Sequence, residues 1–235
     1  MEKLKQKKEN IGSLFDNIAK YYDSLNHILS LNIDKYWRRK AVKMLDKKVL
    51  HLLDVATGTC DFAIEIIKQE KAEKITGIDL SNNMLEIGQK KINQQWINER
   101  IHLQQEDCTQ LTFEDNTFDA ITCAFGVRNF NNLSKGLNEM FRVLKPKSKI
   151  IILEFSYPKN KVVRSFYDFY FTKILPLIGK FVSKDKQAYN YLPMSVKNFI
   201  WGEKFLEQME KAGFKNTKYK TLTFGICTIY SAEKL

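Results

Sequence analysis

Three carboxylates and one glycine turn are spaced in a way that has chemical meaning. The apolar run Leu50–Val55 ends in Ala56-Thr57-Gly58-Thr59-Cys60. Small residues at 56 and 58 let the backbone turn sharply and let a ligand approach main-chain atoms. Asp79 follows about twenty residues on, at the tip of a second apolar run, where a carboxylate can accept from two ribose hydroxyls. Asp107-Cys108 closes a third run, Ile101–Gln105; there Asp107 can accept from an adenine amino group and the next backbone N–H can donate to a ring nitrogen. The dinucleotide pattern G-x-G-x-x-G is absent. Asp61 stands at the start of the helix after the turn, where a pyrophosphate would be repelled. An acidic first turn suits a cofactor without phosphates, such as S-adenosylmethionine, a sulfonium cation with an amino-acid tail. An ordinary strand-to-helix turn is the competing reading, and the placement of Asp79 favours cofactor binding.

A second group of residues is placed for catalysis. Phe118–Phe125 is a nearly continuous apolar run, as a central parallel strand requires. It ends in Gly126-Val127-Arg128-Asn129. Polar groups at the carboxyl end of such a strand point into the ligand crevice, so Arg128 and Asn129 are the expected catalytic groups.

The elements that must hold these residues follow from periodicity. Leu50–Val55, a helix from Phe62 and the strand Lys74–Ile78 make half of a nucleotide-binding βαβ unit. Ser81 caps a helix whose Met84, Leu85, Gly88 and Ile92 share a face, with Met84 expected near the adenine. Leu133–Leu144 reads as a helix stopped by Lys145-Pro146, and Lys149–Phe155 as a strand tipped by Glu154 and Ser156. Trp201–Ala212 is amphipathic. Asn216–Leu222 and Gly225–Ala232 alternate like a terminal antiparallel hairpin. Upstream, Ile11–Leu45 reads as a helical cap, with Ile28, Leu29, Trp37 and Leu45 packed on the core. Such a cap brings Tyr22, Asp23, Asn26 or His27 near a substrate, His27 being the weaker candidate.

Composition narrows the function. The 235 residues carry 38 Lys and Arg against 27 Asp and Glu, a formal charge of +11. A lysine-rich solvated surface is the plain explanation. No stretch interleaves arginine with aromatics as an RNA-reading module does, so no nucleic-acid partner is expected; the tight cluster Lys3, Lys5, Lys7 and Lys8 suits an anionic membrane surface or an end of the chain. The four cysteines lack paired spacing and there are three histidines, so no metal is expected and a reduced, cytoplasmic compartment is. The N-terminus lacks the apolar stretch of a signal peptide, and no apolar run approaches the roughly 18 residues of a membrane span. Val163–Val182 repeats apolar and aromatic residues at helical spacing, interrupted by Pro176 and Gly179. It reads either as a helix on the core or as a greasy wall for a lipid-like substrate that also touches the membrane.

These residues together resemble a family. FDNIAKYYDSLNHILSLNIDKYWRR, LDVATGTCDFA, GIDLSNNML, FDAITCAFGVRN, RVLKPKSKIIILEFS, AYNYLPMSV and LTFGICTIYSAEK are similar to the quinone-biosynthesis C-methyltransferases that act on demethylmenaquinone and on the ubiquinone precursor. The resemblance covers nearly the whole chain. FGVRN and the YDSLNHILS block carry it more specifically than the cofactor turn. The chain departs from the family pattern at Cys60, where glycine is common, at Asp34, where a histidine often stands, at Lys147-Ser148, where a Gly-Gly pair is usual, and at Ala124, where some members have serine.

The resemblance implies an α/β, Rossmann-like class I methyltransferase fold. It comprises a mostly parallel seven-stranded sheet with an antiparallel C-terminal strand, helices on both faces and an N-terminal helical cap. One domain spans 1–235, divided into a cap (1–46), a cofactor-binding core (47–157) and substrate-side helices with the terminal hairpin (158–235). S-adenosylmethionine is the implied cofactor, held by Gly58, Thr59 after the turn, Asp79 at the ribose, and Asp107 with Cys108 at the adenine. Arg128 and Asn129 face the acceptor. The implied acceptor is a prenylated quinol, demethylmenaquinol before the ubiquinone precursor. Peripheral contact with the inner face of the cell membrane is expected, and a homodimer stays open. Rival readings are another small-molecule methyltransferase, an RNA methyltransferase, and a non-catalytic binding protein on the same fold.

Overall fold

The computed structural model describes residues 11–45, 47–170, 173 and 186–235. The Lys3–Lys8 cluster, Phe171 and 174–182 of the apolar stretch, and the side chains of Ile28 and Leu29 lie outside the described residues.

Two helices lead the described residues, α1 (Ile11–Leu29) and α2 (Ile33–Val42). The strands and helices then alternate: β1 (Val49–Val55), α3 (Asp61–Lys68), β2 (Ala72–Asp79), α4 (Asn82–Gln94), β3 (Ile101–Gln105), β4 (Phe118–Ala124), α5 (Leu133–Val143) and β5 (Leu144–Phe155). The remainder is α6 (Lys161–Phe169), α7 (Lys186–Asn198), α8 (Glu203–Lys211), β6 (Lys215–Leu222) and β7 (Cys227–Lys234). The seven strands order as β3-β2-β1-β4-β5-β7-β6. Pairings from β3 through β5 are parallel, and β7 runs antiparallel to both β5 and β6. This is the expected sheet, with β7 as its one reversed strand.

Alternation along the strands divides the core between the two sheet faces. Leu52, Ile75, Ile101 and Ile151 pack with Trp37, Ala41 and Val42 of α2 and with α3. Leu53, Ile78, Ile121, Ile150 and Ile152 pack with α5 and α8 on the other side. Short polar side chains start the helices. Ser81 accepts from the Met84 N–H, Asn132 from Lys135 and Asn160 from Val162 and Val163, each satisfying backbone donors that a helix start leaves unpaired.

Strand and helix ends shift by a few residues from expectation, and two of the shifts have a clear backbone cause. β5 begins at Leu144, before the proline, because Leu144 pairs with Phe118; the register then slips and resumes at Ala120 opposite Lys149. The slip puts Lys147 at φ 60, a conformation glycine adopts without cost. α8 begins at Glu203, after Gly202, whose φ of 65 no helix accommodates.

Topology fixes where the chemistry sits. The parallel strands β1, β2, β3 and β4 all end on one edge, and the switch in strand order between β1 and β4 opens a crevice there. Because β7 is reversed, the β6–β7 turn, Thr223–Gly225, returns to that same edge. Trp37 Nε1 donates to Thr223 Oγ1 at 2.7 Å and ties the turn to the cap.

Candidate active site

The turn after β1 contains three left-handed residues, Ala56, Gly58 and Cys60, at φ 53, 56 and 68. Gly58 turns its N–H to Asp79 Oδ2 at 2.9 Å, while Ser81 N–H takes Asp79 Oδ1 at 2.9 Å. Burial pushes the Asp79 carboxyl up, and the two N–H bonds counter that. A Cβ placed on Gly58 meets nothing within 4 Å, so the turn faces open space. Asp107 is held by Thr109, whose N–H and hydroxyl both donate to its Oδ1 at 2.8 Å.

Gly58, Asp79, Glu106, Asp107, Cys108 and Asn129 line one cleft of about 80 Å³, and Met84 lines it too. Among the described residues no lysine or arginine lines it, and three of its side chains are carboxylates. Its charge therefore favours a cation and disfavours phosphates, and its carboxylates suit ribose hydroxyls and an amino group. These features fit S-adenosylmethionine.

Two expectations about this region are revised. Asp61 does not bear on the cleft. It lies 2.7 Å from Lys91 Nζ, 3.7 Å from Arg38 and 3.8 Å from His27, so cations neutralise it, and rejection of phosphates falls to Asp79, Glu106 and Asp107. Thr59 is not among the lining residues; its hydroxyl donates to Asp23 Oδ1 of the cap at 2.5 Å and accepts from Lys91 at 3.1 Å. The turn is thus latched to α1, which is tied a second time where Ser81 Oγ donates to Asp16 at 2.5 Å. His27, Asp34 and Asp61 bring ligand atoms within 4.8 Å of one another, but Arg38 and Lys91 already match the two carboxylates.

A second, larger cavity of about 320 Å³ adjoins the cleft. It is walled by α1, α2, α6, α7 and the Thr223 turn, and its surface is mostly apolar and aromatic. Phe15, Tyr22 and Phe125 line both spaces. Phe125 holds a left-handed backbone at φ 59, rare for an aromatic residue; such strain collects at functional sites.

Of the two expected catalytic residues, Arg128 stands here and Asn129 does not. Arg128 is buried in this cavity, with Nη1 2.7 Å from Glu154 Oε1 and Nε donating to Ser195 Oγ at 3.3 Å. Among the described residues none takes its Nη2. Burial works to lower the Arg128 pKa, but the Glu154 carboxylate beside it wins and raises it. Glu154 itself is pushed up by burial, against the pull of Arg128. Asn129 lines the smaller cleft instead, with its Oδ1 accepting from Tyr191 Oη at 2.9 Å. Tyr22, wedged between the two spaces, has its phenol pushed up by burial, and Arg128 opposes that. Asn26 lines the cavity as well, whereas Asp23 and His27 do not.

Sequence reasoning missed Arg38 and Asp34. Both are buried and both line the cavity. The signal was present: Asp34, Trp37, Arg38, Ala41 and Val42 form one helical stripe, and two charges on such a face call for a reason.

Comparison with known proteins agrees with this geometry. A [4+2]-cyclase, SpnF, superimposes with a TM-score of 0.71 at 16% identity, covering 97% of this chain and 96% of that one. An S-adenosylmethionine-dependent methyltransferase from Aquifex aeolicus gives 0.60 at 19% identity, over 84% and 89%. These likenesses establish the fold, the Rossmann-like class I methyltransferase fold. Sequence similarity reaches further. The demethylmenaquinone methyltransferase of Bacteroides fragilis is 45% identical over 230 residues, covering 97% of this chain and 94% of its own. The ubiquinone/menaquinone biosynthesis C-methyltransferase UbiE of Geotalea daltonii is 47% identical over 236 residues and covers both chains fully. Residues 1–234 match the ubiE/COQ5 methyltransferase family, and the chain belongs to that family.

Proposed function

We propose that this protein transfers the methyl group of S-adenosylmethionine to a ring carbon of a reduced, prenylated quinone precursor, with demethylmenaquinol as the acceptor. The observation that carries this reading is the pair of adjoining spaces. A small cleft lined by carboxylates and, among the described residues, by no cation meets a large apolar cavity across Phe15, Tyr22 and Phe125. Gly58, Asp79, Asp107 and Cys108 hold the donor, and Thr59 stabilises the turn they depend on.

When bound, S-adenosylmethionine supplies an electrophilic methyl group. The acceptor carbon must therefore be electron-rich, which a quinol is and a quinone is not. Holding two reactants in line supplies roughly 7–11 kcal/mol of the barrier. Arg128 directs its unshared Nη2 to the ring oxygen and stabilises negative charge on it, while Glu154 fixes the guanidinium. Once the C–C bond has formed, the ring C–H proton passes to a water held by Arg128; the Tyr22 phenol, kept protonated by burial, lines the passage and does not take it. Asn129 stands at the junction, tied to Tyr191, and orients the two ligands.

The isoprenoid tail leaves through the cavity mouth, where Leu31 is 75% and Phe166 72% exposed. Phe224, beside the lining residue Thr223, is 83% exposed. Lys159, Lys161, Arg164 and Lys173 stand against the single acid Asp168 in this stretch, which suits a peripheral contact with an anionic bilayer. The decisive experiment is labelled-methyl transfer to reduced demethylmenaquinone and the reduced ubiquinone precursor, side by side, with product masses read out. Transfer to the naphthoquinol is expected. Transfer to the benzoquinol alone would move the protein to the other pathway, and transfer to neither would refute the proposal.

A further inference from the structure

Two arginines are buried in the walls of the larger cavity, and the mechanism above uses only one. Arg38 on α2 is 7% exposed. Its Nη1 donates to Asp34, its Nη2 lies 3.7 Å from Asp61, and its guanidinium lies 5.5 Å from the centre of the Phe125 ring. Arg128 repeats the pattern with Glu154 as its acid and with the Phe155 ring 5.3 Å away. The two rings pack against each other at 4.5 Å. Each arginine is thus tied to its own carboxylate and laid against one of two neighbouring aromatic rings. Among the described residues, these are the cations that line the cavity. Arg38 differs in one respect: its Nε–H is buried and has no hydrogen-bond partner among the described residues. A buried donor left unpaired is destabilising. An arginine that served only to pin Asp34 and Asp61 would need neither to line the cavity nor to leave a donor unmatched.

We propose that Arg38 receives the second ring oxygen of the acceptor, the one remote from the accepting carbon, so that the cavity selects 1,4-dioxygenated aromatic rings over monophenols. This rests on the quinol reading. Arg128 takes the oxygen beside the accepting carbon, and Arg38 takes the oxygen across the ring. A reduced quinone carries its two oxygens at opposite ring positions, and two cations in an otherwise greasy cavity match that pattern. A site built to hydrogen-bond a hydroxyl rejects an analogue that lacks it, because its own polar group is then left unpaired.

The test compares a prenylated 1,4-naphthalenediol with the matching prenylated 1-naphthol, which keeps the hydroxyl beside the accepting carbon and lacks the far one. The native protein is expected to favour the diol by about 100-fold in kcat/KM. Arg38→Met is expected to shrink that preference to about threefold, the loss falling on the diol, while Arg38→Lys keeps part of it. Affinity for S-adenosylhomocysteine, measured by calorimetry, should stay within about twofold in both variants. Equal losses on the two acceptors, with the preference intact, would assign Arg38 to holding the cap and overturn the proposal. So would a native protein without a diol preference, a result that stands even if Arg38→Met fails to fold. A native protein that methylates neither ring would remove the quinol reading itself.

Discussion

The two cavities are built by opposite strategies. The smaller draws most of its polar groups from the ends of β1, β2, β3 and β4, and the chemistry lies in short turns with fixed backbone. Asp79 is held by two N–H groups and Asp107 by one threonine. The larger draws its walls from residues as far apart as Leu14 and Ile226, and its polar groups are long side chains locked by ion pairs. A site of the first kind is set by local sequence. One of the second kind exists only when the cap, the strand ends and the terminal hairpin have come together.

That contrast can be tested by separating binding from turnover. Arg128→Gln belongs wholly to the larger cavity. It should lower kcat/KM for the quinol by about 1000-fold while leaving the calorimetric affinity for S-adenosylhomocysteine nearly unchanged. A comparable loss of that affinity would show that the two sites are not separable. Asp79→Ala belongs wholly to the smaller cleft and should weaken the same affinity by about 100-fold, since it removes a buried charged acceptor and strands the Gly58 and Ser81 donors.

A third change asks what the donor turn costs in stability. Asp54 lies beneath it, accepting from Thr57 and Thr122 at 2.7 and 2.6 Å. Burial pushes its carboxyl up to about 6, whereas an unfolded chain has it near ~4. Between those values the folded protein binds the proton more tightly, so this group's contribution is fully favourable below about pH 4, falls as pH rises and is lost above about 6. Asp54→Asn should therefore gain about 2 kcal/mol relative to the parent at pH 8 and little at pH 4.5, read from melting curves at both. An equal effect at the two pH values would place the cost elsewhere. The smallest effect concerns the mouth. Phe166→Ser with Phe224→Ser should cut binding to anionic vesicles about tenfold, with turnover of a short-tailed quinol unaltered; unchanged vesicle binding would move the membrane contact to another face.

Much of the smaller cleft was legible in the sequence, for a physical reason. Gly58, Asp79 and Asp107 sit where strand ends meet turns, and a short apolar run followed by small residues announces that geometry without tertiary information. The mostly parallel seven-stranded sheet and its reversed β7 followed from the resemblance and from the hairpin pattern. Thr59 and Asp61 were harder, because their partners, Asp23, Lys91 and Arg38, come from other elements. The larger cavity was legible only at Arg128 and at the aromatic helix α6, which line it. Arg38 escaped notice because a cation on a cap helix reads as a solvated surface charge until Phe125 and Asp34 are folded over it.

Phe15, Tyr22 and Phe125 have a consequence of their own. A partition that belongs to two chambers cannot be ordered by one occupant without the other sensing it. Equilibrium linkage is symmetric, so whatever factor the nucleoside product contributes to the grip on the lipid, the lipid must return to the nucleoside. Where that factor exceeds one, abundant spent donor holds the lipid on the protein and abundant lipid retains spent donor; where it is below one, each hastens the release of the other, and in both cases the three shared side chains carry the effect.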